Sequence, residues 1–163
     1  MKKLISLLAA LLLALTCPAL ALAESETLPM EGSLVGAMAM PLESWMADEQ
    51  SHAMFTALAM LDCVLTTDPR AADVSTDAML NGVIYIGATE DSVRCYIFGL
   101  NTCLTYTFSA DNVASATLTP MGDATAEATM PILAKQQQLT GYHIVNVQYV
   151  LQMMEMLMTA LVQ

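Results

Sequence analysis

Basic residues are nearly missing from this chain. Five Lys and Arg face sixteen Asp and Glu, and the formal net charge is −11. Two of the five, Lys2 and Lys3, sit at the very start. From Glu24 onward only Arg70, Arg94 and Lys135 oppose all sixteen acids, which leaves thirteen net negative charges on that segment. Such a surface repels phosphate backbones, so a nucleic-acid role is disfavoured, and anionic lipid is disfavoured for the same reason. A cationic partner or diffusely held divalent ions fit the charge. The simpler reading is a solubilising surface.

Histidine is equally scarce. His52 and His143 are the only two, and they are far apart in sequence. Zinc sites usually draw on closely spaced ligand pairs, and none is present. No serine sits in a Gly-x-Ser-x-Gly elbow, and no glycine-rich phosphate loop occurs. Asp68, Asp73 and Asp77 do not follow EF-hand spacing. The neighbouring acids Asp48-Glu49 and Glu90-Asp91 read as solvated turns or helix ends. His52 and Cys63 lie eleven residues apart on one predicted helix, about 16 Å, too far to form a nucleophile–base pair.

Long apolar runs are confined to the start. Met1-Lys2-Lys3 is a short positive region, and Leu4 to Leu15 has Ser6 as its only polar member. Ala21-Leu22-Ala23 then gives the small-x-small pattern of a signal peptidase site, directly before Glu24. Residues 1–23 are therefore expected to be a cleaved secretory signal, cut after Ala23, with a secreted or extracytoplasmic product. An uncleaved anchor is the weaker alternative, because the apolar core is short for a span and Pro18 breaks its extension. A lipoprotein modified at Cys17 is also weaker, because Thr16 precedes the cysteine where a small residue is wanted. No membrane span is expected after cleavage.

What is abundant is methionine, fourteen in all. Met38 and Met40, and the run Met153-Met154-Glu155-Met156-Leu157-Met158, offer thioethers of the kind that bind Cu(I). On a helix those side chains fan around the axis, and only pairs such as Met154 and Met158 share a face. Packing of irregular gaps, or an adaptable partner-binding surface, explains them better.

Residues 24–41, punctuated by Pro29, Gly32, Gly36 and Pro41, read as a flexible linker. Residues 42–163 then form a single α+β domain. Its first element is a long helix over 42–66, with Met54, Leu58, Leu61 and Leu65 on one face, Trp45 and Phe55 nearby, and Asp68-Pro69 as its stop. Asp73 to Leu80 fits a short helix, and also a strand turning at Asn81-Gly82; the helix is preferred. Residues 82–119 alternate β-branched and aromatic runs with short polar turns, which predicts a four-stranded antiparallel meander.

Alternation assigns faces. Leu104, Tyr106 and Phe108 share the buried side of the third strand; Cys103, Thr105 and Thr107 share a wetter one. In the fourth, Ala114, Ala116 and Leu118 oppose Ser115, Thr117 and Thr119. A helix is expected within 123–139 despite Pro131. Tyr142 to Val145 fits either a strand or the start of the last helix. That helix has Asn146 as N-cap and an apolar stripe of Val147, Val150, Leu151, Met154, Met158 and Leu161. The N- and C-terminal helices are expected to cover one face of the meander.

Three cysteines follow residue 23: Cys63, Cys95 and Cys103. Cys63 reads as a small apolar helix residue. Cys95 and Cys103 flank a turn, and an odd loop length would bring them to one face, where a disulfide is the expectation for an exported chain. No Cys-x-x-Cys is present, which argues against a redox enzyme. The reading is an exported, acidic, non-enzymatic binding or interaction module without cofactor. Its partner, a protein or a small molecule, is not specified. A metal- or redox-responsive protein using Met and Cys is the first alternative. A hydrolase with a dispersed site is the second.

Overall fold

In the computed structural model, residues 25–65, 81–110, 112–121 and 125–162 are described. The expected signal peptide with its cleavage at Ala23, and the Asp73–Leu80 segment, lie outside them. The elements are β1 (Glu26–Leu28), α1 (Leu34–Ala37), α2 (Leu42–Trp45), α3 (Glu49–Leu65), β2 (Ile84–Ala88), β3 (Ser92–Ile97), β4 (Thr102–Ser109), β5 (Asn112–Pro120), α4 (Ala126–Gln136), β6 (Gly141–Val145) and α5 (Val147–Val162). The fold is α+β, and the strands form one antiparallel sheet in the order β1-β5-β4-β3-β2-β6.

The four-stranded expectation is therefore too small. β1 extends the sheet beyond β5, and β6 extends it beyond β2. The expected linker at 24–41 is corrected at the same point: it supplies β1 and α1, and it buries Leu28 and Val35. Three residues with one apolar member carry no period. β1 is a strand because Leu28, set opposite Ala116, reaches the same core.

The N- and C-terminal helices pack on one face of the sheet, and α4 takes the other. Ile84, Ile86, Val93, Cys95, Ile97, Leu104, Tyr106 and Leu118 belong to a core that includes Val35 of α1, Trp45 of α2, Phe55 and Leu58 of α3, and Val150 of α5. Tyr85, Tyr96 and Cys103 point the other way, into a smaller core with Ala126, Met130 and Leu133 of α4. Those last three recur at positions i, i+4 and i+7, one helix face. The side read as wetter is thus partly roofed by α4. Pro131 is exposed within α4, so its missing N–H leaves a carbonyl on the solvent side rather than in the core.

The long helix expected over 42–66 is two. The chain breaks between Trp45 and Glu49, where the Asp48 carboxylate accepts the Ser51 N–H at 2.8 Å and caps α3. That bond holds the Asp48 pKa below its ordinary value. α3 is buried nearly all round from His52 to Cys63, so it is a central helix rather than an amphipathic cover. Along α5, Asn146 caps as expected, its side chain accepting the Gln148 N–H at 3.0 Å. Val147, Val150, Leu151, Met154 and Leu157 follow the core. Met158 does not; it is 46% exposed.

Gly87 in β2 lies opposite Tyr142, and a Cβ there would fall 2.9 Å from the Gly141 carbonyl oxygen and 2.9 Å from Leu139 Cδ1. The absent side chain lets β6 and the chain leading to it lie close against β2.

Candidate functional site

The two thiols expected to bridge are set apart by the β3–β4 turn. Ile97 pairs with Thr102, and a 3-10 turn over Phe98–Leu100 closes through left-handed Asn101, φ 52°. Four residues fill the loop, an even number, so Cys95 pairs with Leu104 and Tyr96 with Cys103. Cys95 then enters the larger core and Cys103 the smaller one, on opposite faces. The Cys95–Cys103 disulfide is corrected accordingly: both are buried and unbridged. Burial pushes the Cys95 thiol up to about 12 and the Cys103 thiol up to about 11. Neither supplies a thiolate nucleophile near neutral pH. The native protein is expected to resist alkylation at both positions. After unfolding without reductant, peptide mapping should find both alkylated; a linked Cys95–Cys103 peptide would overturn the assignment.

The two histidines, distant in sequence, meet. His52 on α3 and His143 on β6 stack with ring centroids 4.8 Å apart and planes 24° from parallel. His52 is buried, its Nε2 has no hydrogen-bond partner in the structure, and His143 is exposed. Burial lowers the His52 pKa, and the neighbouring His143 lowers it further; the Met46 backbone, Asp48 and Glu49 oppose that. A base with a lowered folded pKa binds its proton less readily folded than unfolded. Stability is therefore full above about 6.5, the unfolded histidine value, and is lost as pH falls through the window below it. Urea midpoints between about pH 7.5 and 5.5 should fall for the native chain and stay flatter for His52→Gln. An unchanged slope in the variant would remove His52 as the cause.

Among the described residues no cluster of three or more His, Cys, Asp and Glu is placed to hold a metal. The methionines of α5 fan out: Met153 and Met154 pack on the core, while Met156 and Met158 face solvent. A groove of about 430 Å³ between α3 and α5 is lined by Asp48, Glu49, Gln50, Ala53, Tyr149, Gln152 and Met153. Its lining contains no serine, cysteine or histidine, so it brings no nucleophile to its two carboxylates.

One buried and one half-buried polar cluster have no counterpart in the sequence reading. Asp62 accepts hydrogen bonds from Ser33 Oγ at 2.8 Å, Leu34 N at 2.5 Å, Val35 N at 3.3 Å and Tyr106 Oη at 2.9 Å. Its signal was visible: it is the only charged residue from Ala53 to Leu65. On the α4 side, Arg94 and Tyr96 both donate to Gln137 Oε1. Both clusters fasten elements together, and neither opens onto a groove described above.

The remaining feature is an edge. β6 pairs with β2 on one side only among the described residues, and it ends the sheet. Ile144 is 67% exposed and Tyr142 is 38% exposed, the latter edge-on to Tyr85 at 5.6 Å. β6 contains no charge and no proline. Tyr149 and Met156 are exposed on the adjoining α5. No helix among the described residues is long and apolar enough to cross a membrane. No family model, curated protein or solved structure matches this chain.

Proposed function

We propose that the protein is an exported, non-enzymatic binding module whose docking surface is the outer edge of β6. The single observation that carries this reading is that uncharged edge, with Ile144 and Tyr142 exposed beside it. An open strand offers a row of backbone donors and acceptors to an added strand, and alternate side chains then give selectivity. The supporting chemistry elsewhere is that of a scaffold. The thiols are held protonated by burial, and the groove brings no nucleophile to its carboxylates. The thioether reading of α5 gains no support from side chains that point in different directions.

The test is retention by immobilised residues 24–163 from the fluid surrounding the producing cells, beside an Ile144→Lys variant. A partner held by the native chain and lost by the variant is the expected result. Equal retention by both moves the surface elsewhere, and no retention by the native chain, of itself or of another molecule, removes the reading.

A further inference from the structure

We infer that the occupant of the β6 edge is a second copy of this chain, paired antiparallel through β6 about a two-fold axis into one continuous sheet. The inference rests on the edge reading above and names its partner.

Three observations lead there. The first is the contrast between the two edges. β1, at the far side, is three residues long, carries Glu26 and is followed by Pro29, all of which discourage strand addition. β6 is five residues long with no charge, no proline and two exposed apolar side chains. Among the described residues one edge is blunted and the other is left open, which marks the open one as the edge kept for pairing.

The second is charge. Gln136 to Met154 is a stretch of nineteen residues without Asp, Glu, Lys or Arg, and β6 lies inside it. It is the longest such stretch after residue 23, in a segment carrying thirteen net negative charges. A partner chosen by opposite charge would favour the acidic surface. A like-charged copy meets less repulsion along a strand that carries no charge of its own.

The third is register. An antiparallel two-fold centred on His143 sets Gly141 beside Val145 of the partner copy and Tyr142 beside its Ile144. Tyr142 and Ile144 lie on one face of β6, so the seam gains an aromatic–β-branched pair on each side of the axis. The two six-stranded sheets then form one of twelve.

The experiment is sedimentation of residues 24–163 at about 20 mM and about 300 mM salt. Salt screens the repulsion between two acidic copies, so the dimer should tighten as salt rises. A cationic partner would instead weaken. Ile144→Lys should weaken the dimer at least about tenfold, since it sets a lysine beside Tyr142 of the other copy and adds like charges on both sides of the axis. At concentrations where both are monomeric, its thermal midpoint should match the native chain, because Ile144 is exposed in the single copy. Thr27→Lys at the opposite edge should leave the dimer unchanged. A monomer at every concentration and salt overturns the inference, as does a dimer that survives Ile144→Lys and Tyr142→Lys together. If the native chain is monomeric yet retains another molecule in an Ile144-dependent manner, only the identity of the occupant fails and the edge reading stands. If it is monomeric and retains nothing, both fall.

Discussion

Replacing Asp62 by alanine should cost about 3–5 kcal/mol, a large share of the roughly 5–15 kcal/mol that holds a domain together. Four donors converge on its two oxygens, from Ser33, Leu34, Val35 and Tyr106. The residue is 4% exposed, so water does not replace a lost acceptor. Each buried donor left unsatisfied costs about 1–3 kcal/mol, less where a hydroxyl can turn to another acceptor. The two backbone N–H groups at the start of α1 cannot turn. Ser33 makes the loss cooperative, because its Oγ also accepts the Gly36 N–H at 3.2 Å.

The cost should be localised as well as large. Asp62 joins α1 to α3 and, through Tyr106, to β4. Limited proteolysis should therefore cut the variant between Met30 and Met40 before the sheet opens. Asp62→Asn keeps the size and one acceptor and should cost less, about 1–3 kcal/mol. Tyr106→Phe in the Asp62→Ala background should cost less than in the native chain, because its partner is already gone. A urea midpoint for Asp62→Ala displaced by less than about 1 kcal/mol, with no new cleavage, would show that the carboxyl is dispensable.

This cluster marks where the sequence stopped being readable. An acid inside an apolar helical run announces itself, but its partners lie 29 and 44 residues away in opposite directions along the chain. Only the fold brings them together. The meander was legible because Ile84, Tyr85, Ile86, Val93 and Ile97 are β-formers between polar turns. The assignment of Cys95 and Cys103 to faces was not, because it depends on the parity of one loop. Phe98-Gly99-Leu100-Asn101 invites a left-handed residue at Gly99, and the structure uses Asn101. One residue of difference there turns a same-face pair into an opposite-face pair.

The edges were illegible for a related reason. β1 has too few residues to show alternation. β6 reads as strand or helix until Asn146 is seen to cap α5, and its place beside β2 returns the chain to the sheet after α4. That same return creates the His52–His143 stack, which sequence distance conceals. A helix within 123–139 was readable, but not the fact that it covers Tyr85, Tyr96 and Cys103 from the opposite side. Local pattern shows which face of an element is apolar, and the connections determine what it meets.

Trp45→Ala is the second large effect expected, about 3–5 kcal/mol from the void left by a fully buried indole. Trp45 is the chain's only tryptophan and ends α2, a single turn that would have little stability alone. Its ring meets Phe55 edge-on at 5.4 Å, and Phe55 meets Tyr106 edge-on at 5.2 Å. These three rings connect α2, α3 and β4 in one line, and the last of them donates to Asp62. Truncating the first ring removes its dispersion contacts and lets the Phe55 ring lose its orientation. The indole Nε1 has no hydrogen-bond partner in the structure, so Trp45→Phe forfeits no bond and should cost well under half as much. Urea unfolding followed by circular dichroism measures both variants, since tryptophan fluorescence disappears with the side chain. A Trp45→Ala cost below about 1 kcal/mol would mean that the ring line does not hold the N-terminal helices to the sheet. Neither variant touches β6, so each should leave the edge-dependent association intact in its folded fraction. Trp45→Ala lowers stability with the edge preserved, whereas Ile144→Lys alters the edge with stability preserved, and the pair separates the scaffold from the surface it presents.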